Sequence, residues 1–248
     1  MLRLPPVITS LRDDAEMVLV PGGEFWFGVD QPEVERIAAA LDHPVDPIFK
    51  TEFPHRKATV RDCYIDRFPV TNARYARFIQ ATGHPAPQHW SDPRWNGPDK
   101  PVIGIAWTDA RDYCRWAEKR LPTEEEWERA ARGTDERVWP WGSEFHRRHC
   151  NSLEWGEKQT TDIDRFQDGV SPVGAFDMAG NVWELTGGDW EGFGKAIRGG
   201  SYLNPAAFCR TTCRWGIDPS TVGSTWLGFR CVMELPKARI YARAKPQS

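Results

Sequence analysis

Arg120-Leu-Pro-Thr-Glu-Glu-Glu-Trp-Glu-Arg-Ala-Ala-Arg-Gly133 is the stretch from which the rest of this 248-residue chain can be read. Thr123 stands where a helix N-cap belongs, and Glu126, three residues on, completes a capping box. Glu124, Glu125 and Glu126 set negative charge at the positive end of the helix dipole, and Gly133 marks the stop. Trp127, Ala130 and Ala131 share one face, which is therefore expected in the core. Toward the N-terminus, Thr108 reads as the cap of a helix with Ala110, Tyr113, Cys114 and Ala117 at helical spacing. Before it, Thr71 or Asn72 caps a helix over 73–82, with Tyr75, Phe78 and Ile79 on one side and Gly83 at its end. After Gly133 the helical period vanishes. Trp/Gly/Asp-rich loops follow, with short strands expected at 182–185, 196–199 and 228–233, and a basic, mobile tail from 237 onward.

Further upstream, residues 17–28 (MVLVPGGEFWFG) read as strand, Pro-Gly-Gly turn, strand, the pattern of a hairpin. Residues 32–54 hold a short helical stretch at 33–41 and then proline-punctuated loop, expected as a surface insertion. Residues 58–68 alternate like a strand. The composition, with 13 Trp, 20 Pro and 21 Gly, implies much irregular backbone packed by large indole rings. A formal net charge of -3 leaves no electrostatic footprint for nucleic acid or an anionic membrane. No apolar run approaches membrane-span length, and the first ten residues lack a signal-like apolar core. Six scattered cysteines do not imply a disulfide framework, so a cytoplasmic location is the default expectation.

Five blocks occur in order: Met17-Val-Leu-Val-Pro-Gly-Gly-Glu-Phe25; Ile65-Asp-Arg-Phe-Pro-Val-Thr-Asn72; residues 120–133; Asp177-Met-Ala-Gly-Asn-Val-Trp-Glu184; and Arg198-Gly-Gly-Ser-Tyr202 with Gly228-Phe-Arg-Cys231. Together they resemble the sulfatase-modifying-factor, or formylglycine-generating enzyme, family. The resemblance implies an α+β fold, a loop-rich variant of the C-type lectin fold with little regular secondary structure. It implies a domain over 17–235, with an N-terminal extension at 1–16 and the basic tail at 236–248. The family includes copper-dependent oxidases that convert a peptide cysteine to formylglycine, and inactive paralogues. It also includes domains fused to iron-dependent sulfoxide synthases, and the variable proteins of diversity-generating retroelements, which use the fold only for binding. The site has to decide between them.

In the oxidases two thiolates hold Cu(I), a soft ion suited to sulfur. The resemblance places that pair three and eight positions after Ser201, at Asn204 and Cys209, so one thiol is replaced by an amide. Cys213 is a candidate substitute, but residues 210–212 carry no Gly or Pro to signal the tight turn that would bring it round. Ser201, Trp183 and Phe208 match positions lining the oxidase pocket, with Phe208 where the oxidases carry Tyr. Cys114 and Cys231 match a bonded pair of the secreted oxidases and are expected to be neighbours. For Ca2+, a hard ion that takes oxygen ligands, the resemblance implies two sets. One is Asp177 and Glu184 with the carbonyls of Gly180 and Val182; the other is Asn151 and Asp164 with the carbonyls of Ser152 and Phe166. His146, His149 and Cys150 invite a transition-metal reading, but no fourth ligand is evident.

Two functions follow. The first is a module that binds a protein or peptide ligand through the 214–227 surface, with Trp215, Trp226, Arg214 and Asn204 as contacts. The alternative is a copper-dependent oxidase acting on a peptide cysteine or another substrate, with Cys209, Ser201 and Trp183 at its centre.

Overall fold

The computed structural model describes residues 4–44, 47–192 and 194–245. Its first surprise is at Pro21-Gly22-Gly23. β2 (Glu16–Val20) and β3 (Gly23–Phe27) do not pair with each other as a hairpin. Both run antiparallel to β5 (Cys63–Asp66) and β4 (Arg56–Val60), with Val20 opposite Cys63 and Gly23 opposite Val60. Pro21 has no N–H to give to a ladder, and Gly22 N instead donates to Asp62 Oδ1 at 2.7 Å. A Cβ on Gly22 would lie 2.7 Å from Asp62 N, so only glycine lets the two chains cross here. The turn residues bend a long ribbon, and the single strand expected over 58–68 is two.

The described residues 7–10 and 242–244 pair within one sheet, which corrects the reading of a mobile tail from 237 onward and puts Val7–Ser10, expected in an extension at 1–16, inside the fold. β1 (Val7–Ser10) pairs with β2 on one side and with β11 (Ala242–Ala244) on the other, Ile8 opposite Ala244. With β10 (Val232–Glu234) they form a five-stranded sheet of order β10-β5-β2-β1-β11. The helix Leu235–Tyr241 starts with Pro236 in its first turn and carries the chain from β10 to β11. Ile8, Ala15, Met17, Tyr64, Met233 and Ala238 form the apolar cluster that holds these ends. β11 covers the edge that β1 would otherwise expose. Lys237, Arg239 and Arg243 are the solvent side of this segment, and they dominated its composition.

The helices follow their sequence signals with one shift. The first, α1 (Gln31–Ala40), is capped by Asp30, which accepts from Glu33 N at 3.0 Å. It is followed by α2 (Pro47–Lys50). Val34, Ile37, Ala38 and Phe49 sit in the main core, so 32–54 is an inserted wedge, not the surface insertion expected. Thr71 caps α3 (Asn72–Thr82), which ends at Gly83 in a left-handed conformation. α4 (Trp107–Trp116) starts one residue ahead of Thr108, and Asp109 Oδ2 serves its entry by accepting from Ala106 N at 2.8 Å. Tyr75 of α3 stacks on Tyr113 of α4, their rings 5.7 Å apart and 8° from parallel. The capping box of α5 (Glu124–Arg132) is complete: Thr123 Oγ1 accepts from Glu126 N at 3.1 Å, and Glu126 Oε2 from Thr123 N at 2.9 Å. No helix of the described residues is long and apolar enough to cross a membrane.

A four-stranded sheet, β8 (Arg214–Ile217), β7 (Gly194–Arg198), β6 (Trp183–Trp190) and β9 (Leu227–Phe229), carries the candidate site. β6 and β9 are parallel; the other pairs are antiparallel. Glu184, at the start of β6, fastens this sheet to the rest. Its Oε2 accepts from Trp127 Nε1 of α5 at 2.6 Å and from Arg230 Nε at 2.7 Å, while Oε1 accepts from Arg230 Nη2 at 2.7 Å. Arg230 also donates to the Asp66 and Phe176 carbonyls, at 3.0 and 2.6 Å. A second buried junction centres on Lys119, which donates to Asp13 at 2.8 Å and Asp66 at 2.8 Å. Beside it the sulfurs of Cys114 and Cys231 are 3.1 Å apart, so these two cysteines are neighbours as the family pattern implied.

Two outcomes follow from these junctions. Removing one partner of a fully buried pair strands the other charge, so Arg230→Met should cost about 3–5 kcal/mol in urea unfolding; a loss below about 1 kcal/mol would show that Glu184 is not the fastening point. For Asp13, burial pushes the carboxyl up, but the charge and hydrogen bonds of Lys119 outweigh it and hold it down at about 2. A carboxyl depressed in the folded state stabilises at pH values above its unfolded pKa of about 3.9, and that contribution fades as pH falls toward 2. The stability gap between the parent and Asp13→Asn should therefore be constant above about pH 5 and shrink by about 2–3 kcal/mol below it; a gap that does not change with pH contradicts this.

Candidate functional site

β7 leaves the sheet at Arg198 and enters Gly199-Gly200-Ser201, both glycines at positive φ. A short helical turn, Ala206–Phe208, follows before the chain returns as β8. Between this excursion and the start of β6 lies a cleft of about 270 Å³. Its aromatic walls are Trp183, Phe208, Trp215 and Trp226; Ile197 and Leu203 add apolar surface, and Ser201 and Asn204 are its polar members. No charged side chain lines it. Six residues singled out from the sequence, Trp183, Ser201, Asn204, Phe208, Trp215 and Trp226, meet here. Ile197 and Leu203 carried no sequence signal beyond being apolar.

Asn204 organises the cleft. Its Oδ1 accepts from Trp183 Nε1 at 2.8 Å, Ser201 Oγ at 2.7 Å and Ser201 N at 3.1 Å. Indole and backbone N–H groups can only donate, so the amide cannot be flipped. The position of one copper thiolate in the oxidases is thus held by a carbonyl oxygen with its lone pairs already engaged.

Cys209 is not in the cleft. It is fully buried in a small cluster with Cys150 and Ala179. Burial, then the neighbouring Cys150, Glu154 and Cys213, push its pKa well above the ordinary thiol range, so it is a thiol and not a thiolate. Gly200 shapes this enclosure: a Cβ there would lie 2.8 Å from Cys209 Sγ, and its absence lets the turn close over the sulfur. The residues 210–213 do make a turn, Cys213 N donating to Arg210 O at 3.1 Å, although no Gly or Pro announces it. The turn does not bring Cys213 to the same cluster, since that residue packs in the main core. Arg214 also points elsewhere. Its guanidinium pairs with Glu124 and lies 5.0 Å over the ring of Trp190. Trp215, 45% exposed, leans on the same Trp190 at 6.4 Å.

The oxygens proposed for Ca2+ lie on two loops joined by Asn181. Asn181 Oδ1 accepts from Asn151 Nδ2 at 3.2 Å and Thr161 N at 3.0 Å, and its Nδ2 donates to Asp177 Oδ2 at 2.9 Å. This leaves Asn151 Oδ1 and Asp177 Oδ1 buried without a hydrogen-bond partner. Such orphaned oxygens are what a hard cation would satisfy. The Ser152 carbonyl accepts from Trp155 N at 3.0 Å and Gly156 N at 3.4 Å, the Phe166 carbonyl accepts from Gly169 N at 3.1 Å, and Asp164 is exposed. Burial pushes the Asp177 carboxyl up to about 7, with Asn181 and Arg230 pulling down and Glu184 and Asp164 pushing up. Glu184, by contrast, spends its carboxylate on Arg230 and Trp127, and Gly180 is fixed beside Asn151 by a bridge. Val182 is buried next to it. His146 and His149 approach within 4.8 Å, yet the described residues hold no group of three His, Cys, Asp or Glu able to bind a metal.

A family model described as "Sulfatase-modifying factor enzyme 1-like domain" matches residues 7–235. The inactive C-alpha-formylglycine-generating enzyme 2 of Mus musculus is 31% identical, across 93% of this chain and 90% of its own. The formylglycine-generating enzyme of Streptomyces coelicolor is 30% identical, across 89% and 90%. Among solved structures, PvdO from Pseudomonas aeruginosa superposes with a TM-score of 0.78 at 24% identity, covering 94% of this chain and 100% of that one. Treponema denticola variable protein 1 gives a TM-score of 0.65 at 18% identity, covering 89% and 95%. The architecture is therefore the α+β, C-type-lectin-like fold of formylglycine-generating enzymes. By the match over 7–235 the chain belongs to the sulfatase-modifying-factor family, as a divergent member with asparagine at one of the two copper-thiol positions.

Proposed function

We propose that this protein is a ligand-binding module whose site is the tryptophan-walled cleft, and that it does not oxidise peptide cysteine to formylglycine. The observation that carries this reading is Asn204. Its oxygen is committed to Trp183 and Ser201, and a neutral amide is a poor ligand for a soft monovalent ion. The remaining thiol, Cys209, is sealed from the cleft and strongly protonated. A wall of four aromatic rings at an open cleft offers what binding needs: rigid apolar area with little entropy to lose. The 31% identical relative whose name marks it as inactive agrees with this direction. Incubation with Cu(I), oxygen and a sulfatase-motif peptide should give no aldehyde by mass spectrometry. Turnover that Cys209→Ser abolishes would return the protein to the oxidases.

Ca2+ is part of the same proposal, held by Asn151 Oδ1 and Asp164 with the Ser152 and Phe166 carbonyls, and by Asp177 beside them. The orphaned oxygens of Asn151 and Asp177 support it. Glu184 needs no cation to balance its charge, because Arg230 already does so. A ligand that binds only the folded state raises its melting temperature. Saturating Ca2+ should raise the Tm of the parent, and Asn151→Leu should abolish that rise. Glu184→Gln should lower the Tm with and without Ca2+ by similar amounts. An unchanged Tm on chelation of the parent rules the cation out.

A further inference from the structure

The hydrogen-bonding groups left over in the cleft have one sign. Asn204 Oδ1 is filled by three donors, which turns Nδ2 and its two hydrogens away from them. That nitrogen is not among the buried unpartnered atoms and has no partner in the described chain, so it is accessible on a residue that lines the cleft. Ser201 Oγ is spent internally, donating to Asn204 and accepting from Leu203 N at 3.3 Å. The indole N–H groups of Trp215 and Trp226 also have no partner among the described residues. Ser201 keeps one lone pair but is only 1% exposed, so the accessible unspent side-chain polar groups of the lining are donors.

We propose that the cleft takes a neutral, flat ring bearing an acceptor oxygen, such as an aromatic ring with a carbonyl or amide oxygen, and that Asn204 selects for it. The inference rests on the reading that the cleft is a ligand site. The indole walls favour a planar ring, and a volume of about 270 Å³ admits one ring with a short substituent. An aromatic enclosure also suits a cation over its ring faces. Here the unpartnered NH2 of Asn204 is the positive end of a lining amide, and no carboxylate lines the cleft to offset a cation. A ligand donor placed against Nδ2 would set two donors face to face and leave both unsatisfied.

The test compares benzamide with benzylamine by tryptophan fluorescence and ligand-observed NMR on the whole protein. The parent should bind benzamide at least about tenfold more tightly, the scale of one hydrogen bond gained or lost. Asn204→Asp keeps an oxygen for the three donors and replaces Nδ2 by an anionic acceptor, so the order should reverse. Should that variant fail to fold, Asn204→Leu removes the donors without adding charge and should bring the two affinities within about threefold of each other. Trp215→Ala should weaken both probes. Loss of binding in Trp215→Ala with an unreversed, unlevelled preference at position 204 overturns the role of Asn204 alone. Tighter benzylamine binding by the parent overturns the ligand class. Absence of binding by either probe, or indifference to Trp215→Ala, overturns the cleft as a ligand site and this inference with it.

Discussion

The fold depends on one buried carboxylate. Glu184 accepts from the indole of Trp127 and from both sides of the Arg230 guanidinium, and Arg230 reaches on to the carbonyls of Asp66 and Phe176. Three distant motif blocks, at 120–133, 177–184 and 228–231, thereby meet at a single point. A chain with this much irregular backbone has many carbonyls that no helix or ladder satisfies, and burying them unpaired is costly. Long arginine side chains supply fixed donors to such carbonyls. Arg198 does the same for the Thr211 and Thr212 carbonyls, and Arg132 for those of Trp26 and Gly28. The arginines are internal scaffolding: Glu128 matches the charges of Arg132 and Arg198, Glu184 that of Arg230, and Glu52 that of the buried Arg210.

That scaffolding also fixes the frame of the cleft. Arg198 ends β7 immediately before Gly199 and Gly200, and its guanidinium is fixed by Glu128 and by the ring of Trp127 at 5.3 Å. From that anchored point the Ser201 turn is placed over Cys209. Asn204 then closes the turn on itself through Ser201 and ties it to β6 through Trp183. The amide performs by hydrogen bonding the tethering of turn to strand that the cleft geometry requires. Larger hollows elsewhere are less suited to a ligand. In the one between β4 and α5, about 1120 Å³, Arg56 is engaged by Glu125 and Arg120 by Glu126 and Glu234.

The sequence by itself determined the family and therefore the architecture, because capping boxes, glycine stops and short motif blocks are local and survive in the residue string. The capping box at Thr123 and Glu126, the Thr71 cap and the adjacency of Cys114 to Cys231 all lie where those blocks placed them. The amide at Asn204 was equally legible, since it is a matter of residue type. What only the tertiary structure decided is what each group faces. Pro-Gly-Gly looks the same in a hairpin turn and in a bent ribbon, and the choice is made by residues 56–66, some forty positions away. The basic C-terminal segment reads as solvent-loving until β1 supplies its partner strand. Arg214 and Cys209 sit beside the cleft in sequence but face Glu124 and a buried thiol cluster. Glu184 reads as a metal ligand until Arg230, 46 residues later, is seen to neutralise it. Residue identity fixes which charges and donors exist; only long-range packing fixes which of them are already spent, and the function lies in those that are not.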